Sequence, residues 1–511
     1  MTTRGRYTRT VLWLLAAAVA LTMTASTGVA APASKAAQAR AARVHEIGLR
    51  KAAVDPAFVR RHRSTYSVQV PKTPIGDQEH SGRCWAYAWT KTLQTMAKAQ
   101  GCTQPDVLSA AFINYHALRA LAYGEIDRAV RDGAHPEHGL AYLDGDMLGE
   151  GGYSHWANAI VKKYGIVPEE KLSSATFDSR WSDIMQNQLH RLVTAAYRDI
   201  DKTSTGANAK RRAIADKYKQ KVDQALDTMI GAPPRQFTIH GKTYTPKTYL
   251  RDYLKLAEND LQFVNLSNDP GRAFNRRYRE SYAGKGIPAN ETYNVSIDVI
   301  QRAVRKTVRA GIAPNVAVNV DWDNPHRVAN RHDDASPQNG IMSVAAFKYE
   351  KLVPTVKLSK RDRMGANVSL SNHMMAITGY EPAKPGKQAR YQIDNSHGKG
   401  SFRQGRLDMY DDFFKQYVEE VTVPRSALPK GLLKKLDEGP ALDTVAGMSI
   451  APSKGGEKWT PTRKRMLVKV LIREELSFAD AAERYNLPPE TVRSWYHQAR
   501  TAMLQAFRSS K

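Results

Sequence analysis

Asp77-Gln78-Glu79-His80-Ser81-Gly82-Arg83-Cys84-Trp85 is the stretch from which the fold is read. It holds one of only two cysteines in 511 residues. Beyond it, Trp85, Ala86, Ala88, Trp89, Leu93, Met96 and Ala97 recur at helical spacing until Gly101. The spacing predicts a helix headed by Cys84. The partial positive charge of a helix N-terminus favours thiolate over thiol, so a lowered pKa and a nucleophilic sulfur are expected there. Gln78 can bring a side-chain N–H beside the sulfur and, with the Cys84 main-chain N–H, form an oxyanion hole. A lone cysteine at a helix start can also be a small buried hydrophobe. The order Gln, Gly, Cys, Trp favours the nucleophile.

A cysteine nucleophile needs a histidine base, and the base needs an orienting group. Of 14 histidines, His373 has the most suitable setting. In Ser371-Asn372-His373-Met374-Met375-Ala376-Ile377-Thr378-Gly379-Tyr380 a polar loop meets an apolar, strand-like run. After a loop of Pro, Gly and Lys comes Arg390-Tyr391-Gln392-Ile393-Asp394-Asn395-Ser396, a second short strand ending at an Asn. The Asn395 side-chain oxygen can accept from the imidazole and fix its tautomer.

With these residues in order, the chain resembles a papain-like cysteine peptidase of the bleomycin hydrolase/aminopeptidase C branch. Ser81-Gly82-Arg83-Cys84-Trp85, Asn372-His373-Met374 and Asp394-Asn395-Ser396 carry the resemblance, which spans residues 66–425. The separation of Cys84 and His373 is about twice that of ordinary papain-like enzymes, which fits the large insertion of this branch. The resemblance implies an α+β, two-lobed fold, a helical lobe facing a β-barrel-like lobe across the active-site cleft. It implies peptide-bond hydrolysis by Cys84, His373, Asn395 and Gln78, as an aminopeptidase or an endopeptidase. It also implies substrate contact at Gly151 and Gly152 and a homo-oligomer, a hexamer with inward-facing sites. Two features depart from the family. Where it has Trp after the Asn-Ser pair, this chain has His397, so a wetter and weaker Asn395–His373 bond is expected. The family also ends soon after the core, its C-terminal tail lying in the cleft and restricting it to aminopeptidase action, whereas here about eighty residues follow.

Taken in order, residues 1–31 read as a secretory signal: Arg4, Arg6 and Arg9, an apolar run from Val11 to Met23, then small residues through Ala30-Ala31. A secreted or periplasmic protein follows. The alternative is an uncleaved membrane anchor, although the run is short for a span of ~20 residues. Residues 32–65 form a spacer and a first helix, and Tyr66–Val70 a short strand. A second helix is expected over Gln104–Tyr123, and another after Gly149-Glu150-Gly151-Gly152-Tyr153, reaching Tyr164. Within the peptidase domain, residues 66–428, residues 175–290 read as a helical insertion with a hairpin at Phe237–Gly241. A helix over Ser296–Ala310 and a strand over Ile312–Val320 return to the core.

Residues 429–458 are punctuated by Pro429, Gly431, Gly439-Pro440, Gly447, Pro452 and Gly455-Gly456 and read as a linker. Residues 459–511 read as three helices: one capped at Thr460-Pro461, one from Ser477 to Tyr485 opened by a capping box, and one from Pro489. This segment resembles a helix-turn-helix, with Arg493, His497 and Arg500 exposed on the third helix. Nucleic-acid binding and protein docking both remain open for it, although an exported chain has no genomic target.

Charged residues make up 25% and apolar ones 42% of the chain, enough for a sizeable core. The net charge of +26 attracts acidic partners without choosing among them. At ~1.5 Å per residue Cys84 and Cys102 stand roughly 27 Å apart along one helix, while a disulfide needs Cα atoms within about 7 Å. Both are expected to be free. There is no paired Cys motif, HExxH, P-loop or dinucleotide fingerprint, so neither metal nor cofactor is expected. Besides the peptidase, two readings stand: an inactive peptidase scaffold that binds protein or nucleic acid through its C-terminal helices, and a purely structural oligomer.

Overall fold

The computed structural model describes residues 34–132, 148–173, 182–203, 207–280, 290–320, 340–366, 371–439, 442–445, 448–450, 459, 464, 467–468, 471 and 478–509. The expected signal segment, residues 1–31, lies outside them. Among the described residues no helix is long and apolar enough to cross a membrane.

The chain divides into two units. The smaller takes residues 1–54 and 348–355. It contains helices Lys35–Ile47 and Leu49–Ala53, the first capped by Ser34 Oγ accepting the Ala37 N–H at 3.2 Å. The Lys348 N–H donates to the Ala53 carbonyl at 2.7 Å.

Among the described residues the larger unit has two large apolar cores and a small C-terminal one. One is helical, built on Cys84–Ala99, Ala110–Asp132, Ser154–Tyr164, Ser182–Asp201 and Asn208–Met229. Trp85, Trp89, Leu93, Phe112 and Ile113 fill its centre. The second expected helix starts at Ala110 rather than Gln104. Pro105 breaks the earlier stretch, and Ser109 Oγ accepts the Phe112 N–H at 3.0 Å, the work of an N-cap.

The other large core lies on a sheet. Its strands are β1 (Val68–Gln69), β4 (Phe263–Ser267), β5 (Arg276–Glu280), β6 (Asn290–Asn294), β7 (Asn315–Val318), β8 (Ile341–Met342), β9 (His373–Glu381), β10 (Arg390–Asp394), β11 (Arg406–Tyr410), β12 (Val418–Pro424), β13 (Leu442–Val445) and β14 (Met448–Ile450). The order is β14-β13-β5-β6-β4-β12-β7-β9-β10-β11-β8, with β1 paired to β9. The hairpin at Phe237 forms separately as β2 (Phe237–Ile239) and β3 (Lys242–Tyr244). Val316, Ile377, Tyr391, Ile393, Phe413 and Val421 pack on the sheet, together with helix Ile297–Arg309.

The Cys84–Ala99 helix is pinned to the sheet by polar side chains that sequence periodicity does not reveal. The Asn315 Nδ2 group donates to the Ala88 carbonyl and to Thr92 Oγ1, each at 2.8 Å. Thr92 Oγ1 in turn donates to the Ala313 carbonyl at 2.7 Å.

Two expected boundaries are corrected. Residues 175–290 are helical only at first; from β4 onward they add strands to the main sheet. The alternating Val264 and Leu266, both buried, carry that change. The segment 429–458 is not a bare linker. Helix Lys430–Glu438 packs Leu432, Leu433 and Leu436 on the sheet core, and β13 and β14 extend the sheet beyond β5. Of its Gly and Pro residues, Pro429 and Gly439 cap that helix and Gly431 lies within it.

In the C-terminal region, helices Phe478–Tyr485 and Pro489–Ser509 are joined through Asn486 at φ 48°. Leu467, Leu471, Ala481, Tyr485, Val492 and Tyr496 form a small core. The first of the three expected helices is described only at Lys464, Leu467, Val468 and Leu471. Its cap at Thr460-Pro461, and Ser477, lie outside the described residues.

Candidate active site

Cys84 is the first residue of its helix, as the sequence predicts, and Arg83 is the N-cap. The preceding turn closes on itself: the Ser81 N–H donates to the Gln78 carbonyl at 3.0 Å, and Ser81 Oγ to the same oxygen at 2.6 Å. The expected fall in the Cys84 pKa does not follow. Burial raises it, and hydrogen bonds from the main chain at Met374, Trp85 and Cys84 itself only partly oppose that. The helix N-terminus alone therefore does not make the thiolate; a base must share the proton. Cys84 and Cys102 are both free.

The expected base, His373, opens β9. The Met374 main chain that reaches Cys84 belongs to the residue after His373. His373 Nε2 donates to Asn395 Oδ1 at 2.7 Å. That bond commits Nε2 and leaves Nδ1 for the thiol, which is how an orienting amide fixes a tautomer. Asn395 follows β10, which pairs with β9 through Asp394 and Ala376.

Ser396 joins the two halves of the site. Its N–H donates to Asn395 Oδ1 at 2.9 Å, its hydroxyl to Gln78 Oε1, and its carbonyl accepts the Gln78 N–H at 2.7 Å. With Oε1 committed, the Gln78 amide has one orientation, and Nε2 donates to the Ser81 carbonyl at 2.6 Å. The second N–H of that amide is the one an oxyanion can take. The sequence does not show this role of Ser396, because a hydroxyl that bridges distant partners leaves no periodic signal.

Glu150 is a further residue that the sequence did not single out. Its carboxylate accepts the Gly82 N–H at 3.0 Å and the Ser182 hydroxyl at 2.8 Å and faces Arg83 Nε at 3.6 Å. Its carbonyl accepts the Trp85 indole N–H at 2.7 Å. Glu150 thus fixes the Cys84 turn from the adjoining loop. In that loop a Cβ at Gly152 would stand 2.5 Å from the Trp85 ring, whereas one at Gly151 meets nothing within 4 Å. Gly152 is required by packing; Gly151 borders open space.

The expected wetness of the Asn395–His373 bond is not found. Asn395 is 5% exposed, and the His397 ring lies parallel to that of His373, with centroids 5.4 Å apart and 6° between planes. Imidazole covers part of the area an indole would. Asp77 pairs with His397 as an isolated bridge and holds it there. His397→Trp is therefore expected to leave kcat within about twofold, a surface-scale effect. A loss of 50-fold or more in steady-state kcat would assign His397 a role of its own.

The loop before His373 is held by a titrating group. The Ser371 N–H donates to Glu419 at 2.8 Å. Burial raises the Glu419 carboxyl to about 7 against the pull of Ser371 and Lys360. Such a group contributes stability that is complete below its unfolded pKa of 4.5 and lost as pH rises through about 7. Glu419→Gln keeps the uncharged form throughout. Relative to this variant, wild-type unfolding free energy is expected to drop by about 2 kcal/mol between roughly pH 5 and 8. Parallel curves in urea titrations would reject the assignment.

Arg493 is exposed on the Pro489–Ser509 helix, its guanidinium 6.0 Å from the Phe478 ring centroid. The His497 ring meets Tyr496 edge-on. Arg500 is on the same helix, its side chain outside the described residues. Among the described residues no cluster of His, Cys, Asp and Glu is arranged to hold a metal.

Residues 24–446 match the Peptidase C1-like family. The chain is 24% identical to Cysteine proteinase 1, mitochondrial, of Saccharomyces cerevisiae, over 73% of this chain and 79% of that protein. It is 24% identical to Aminopeptidase W of Lactobacillus delbrueckii subsp. lactis, over 77% and 90%. Its fold is similar to the crystal structure of PepW from Lactobacillus rhamnosis, with TM-score 0.69, 21% identity and coverage of 81% of this chain and 95% of that one. A cysteine heading a buried helix, a histidine on the facing strand and this breadth of match lead to one conclusion: the chain belongs to the Peptidase C1-like family of papain-like cysteine peptidases.

Proposed function

We propose that Cys84, His373, Asn395 and Gln78 carry out peptide-bond hydrolysis. The observation that supports it most is the 2.7 Å bond from His373 Nε2 to Asn395, next to the Met374 main chain that reaches the Cys84 sulfur. Nδ1 of His373 takes the thiol proton, and the thiolate so formed beside the imidazolium attacks the scissile carbonyl carbon. The carbonyl oxygen gains the electron pair, and the N–H groups of Gln78 and Cys84 stabilise it. Collapse breaks the C–N bond, and His373 returns the proton to the leaving amine. Water then attacks the thioester, giving a proton to His373; the C–S bond breaks, the acid leaves, and the Cys84 thiolate beside the imidazolium is restored. Gly151 and Gly152 offer main chain to an extended peptide. Export guided by residues 1–31, and assembly with further copies through the insertion, belong to the same reading.

Cleavage mode is the finer part. In the sheet order β13 is six strands from β9, about 29 Å at ~4.8 Å per strand. β13 and β14 thus lie at the sheet edge remote from His373. This supports a cleft that these two strands leave open, and internal cleavage of peptides. Two assays test it together. Iodoacetamide with peptide mapping is expected to label half-buried Cys84 at least tenfold faster than buried Cys102; equal labelling would reject Cys84. Free and N-acetylated versions of one peptide are expected to be cut at comparable rates. Strict dependence on a free amine would show that another group caps the cleft.

A further inference from the structure

Lys91 lies seven residues after Cys84 on the same helix. Two turns at ~100° per residue return to within about 20° of the same face, about 10.5 Å further along the axis. The side chain of Lys91 is 7% exposed, and Nζ stands 3.0 Å from Asp394 Oδ2, a carboxylate 4% exposed. A buried lysine needs each of its N–H groups satisfied, and this one has its partners. Besides Asp394, Nζ donates to the Thr73 carbonyl at 3.3 Å and to that of Pro74. Asp394 is bound on its other oxygen by Thr378 Oγ1 at 2.9 Å and Arg406 Nε at 3.2 Å.

The partners of Lys91 matter because of what comes next in the chain. Asp394 immediately precedes Asn395, the acceptor of the His373 bond. Thr73-Pro74 leads into the segment that bears Gln78. One ammonium therefore ties the helix of the nucleophile to the strand of the orienting amide and to the approach to the oxyanion hole. We propose that Lys91 and Asp394 form an ionic pin that sets the position of Asn395 and His373 relative to Cys84, and that both are positioning residues for hydrolysis. Neither touches the reacting atoms. The pin is not what joins helix to sheet, since Asn315 and Thr92 do that independently. Its particular contribution is to the β10 end where Asn395 sits.

The inference rests on the catalytic reading above, and Cys84→Ala tests that reading separately. Lys91→Met removes the ammonium and keeps the volume. Asp394→Asn keeps shape and the hydrogen bonds from Thr378 and Arg406. In full-length protein each is expected to lower kcat on the order of 10²-fold, the cost of a misplacement of about 1 Å, with KM within about threefold. A loosened Asn395 holds the imidazolium less well beside the thiolate, so the alkaline limb of kcat/KM is expected to move to lower pH. The alkaline shift must also appear in the pH dependence of Cys84 alkylation, which needs no turnover. Reduced thermal stability with kcat and both pH profiles unchanged would overturn the proposal and leave a structural ion pair. Should Lys91→Met fail to fold, Asp394→Asn decides on the same readouts. A Cys84→Ala protein that still hydrolyses peptide would instead remove the catalytic reading itself.

Discussion

Cys84→Ala is expected to abolish peptide hydrolysis, with kcat lower by a factor on the order of 10⁶, as when a covalent nucleophile is removed from a triad. The whole proposed mechanism passes through a bond to this sulfur. With alanine at 84 the proton that His373 takes from the thiol is gone, and water must then attack without covalent assistance. The fold should survive. Cys84 is only half-buried, and loss of one sulfur there costs about 1 kcal/mol or less against a core of this size. Substrate affinity should persist, because Gly151, Gly152 and the Gln78 amide are untouched. The informative control is Cys102→Ala. Cys102 is buried after the far end of the helix, and its loss should move stability rather than kcat. Burial pushes the Cys102 thiol up as it does that of Cys84, so the two are told apart by their setting and not by thiol acidity. Turnover by Cys84→Ala above a few parts per million of wild type, with the thiol confirmed absent by mass, would end the assignment.

The site was legible where chemistry is local. Cys84 after Ser81-Gly82, His373 at the start of an apolar run and Asn395 at the end of a strand are all readable from short windows, because each element boundary has its own signal. What the sequence does not expose is what holds these residues to each other. Ser396, Glu150, Lys91 and Asn315 act across separations of many residues, and each is a common polar type without periodicity. The Cys84 pKa was misjudged for the same reason. A helix N-terminus can be read from a sequence, whereas the burial that outweighs it depends on strands hundreds of residues away. The linker expectation failed because Gly and Pro mark turns equally well in a linker and between short strands. Leu432, Leu433 and Leu436 were the signal that could have shown a packed helix there.

Gln78→Ala is expected to reduce kcat by about 10²–10³-fold, the usual cost of one oxyanion donor, with KM changed little. The donor acts only once charge has moved onto the substrate oxygen, so its loss falls on the transition state and not on binding. Gln78 also has a structural share in the site, since its amide bridges Ser396 and Ser81. Ser396→Ala separates the two contributions. It removes the hydroxyl that orients Gln78 Oε1 and leaves the donor in place, so a smaller loss, about tenfold, is expected. A peptide aldehyde supplies a second readout. Its hemithioacetal with Cys84 carries an oxygen where the oxyanion forms, and its affinity should fall in Gln78→Ala by the same order as kcat. Retention of kcat within about threefold would mean that the helix N-terminus at Cys84 holds the charge without help. A parallel collapse of kcat and of thermal stability, with the Ser396→Ala protein equally inactive, would mean that Gln78 shapes the cleft and does not stabilise the oxyanion.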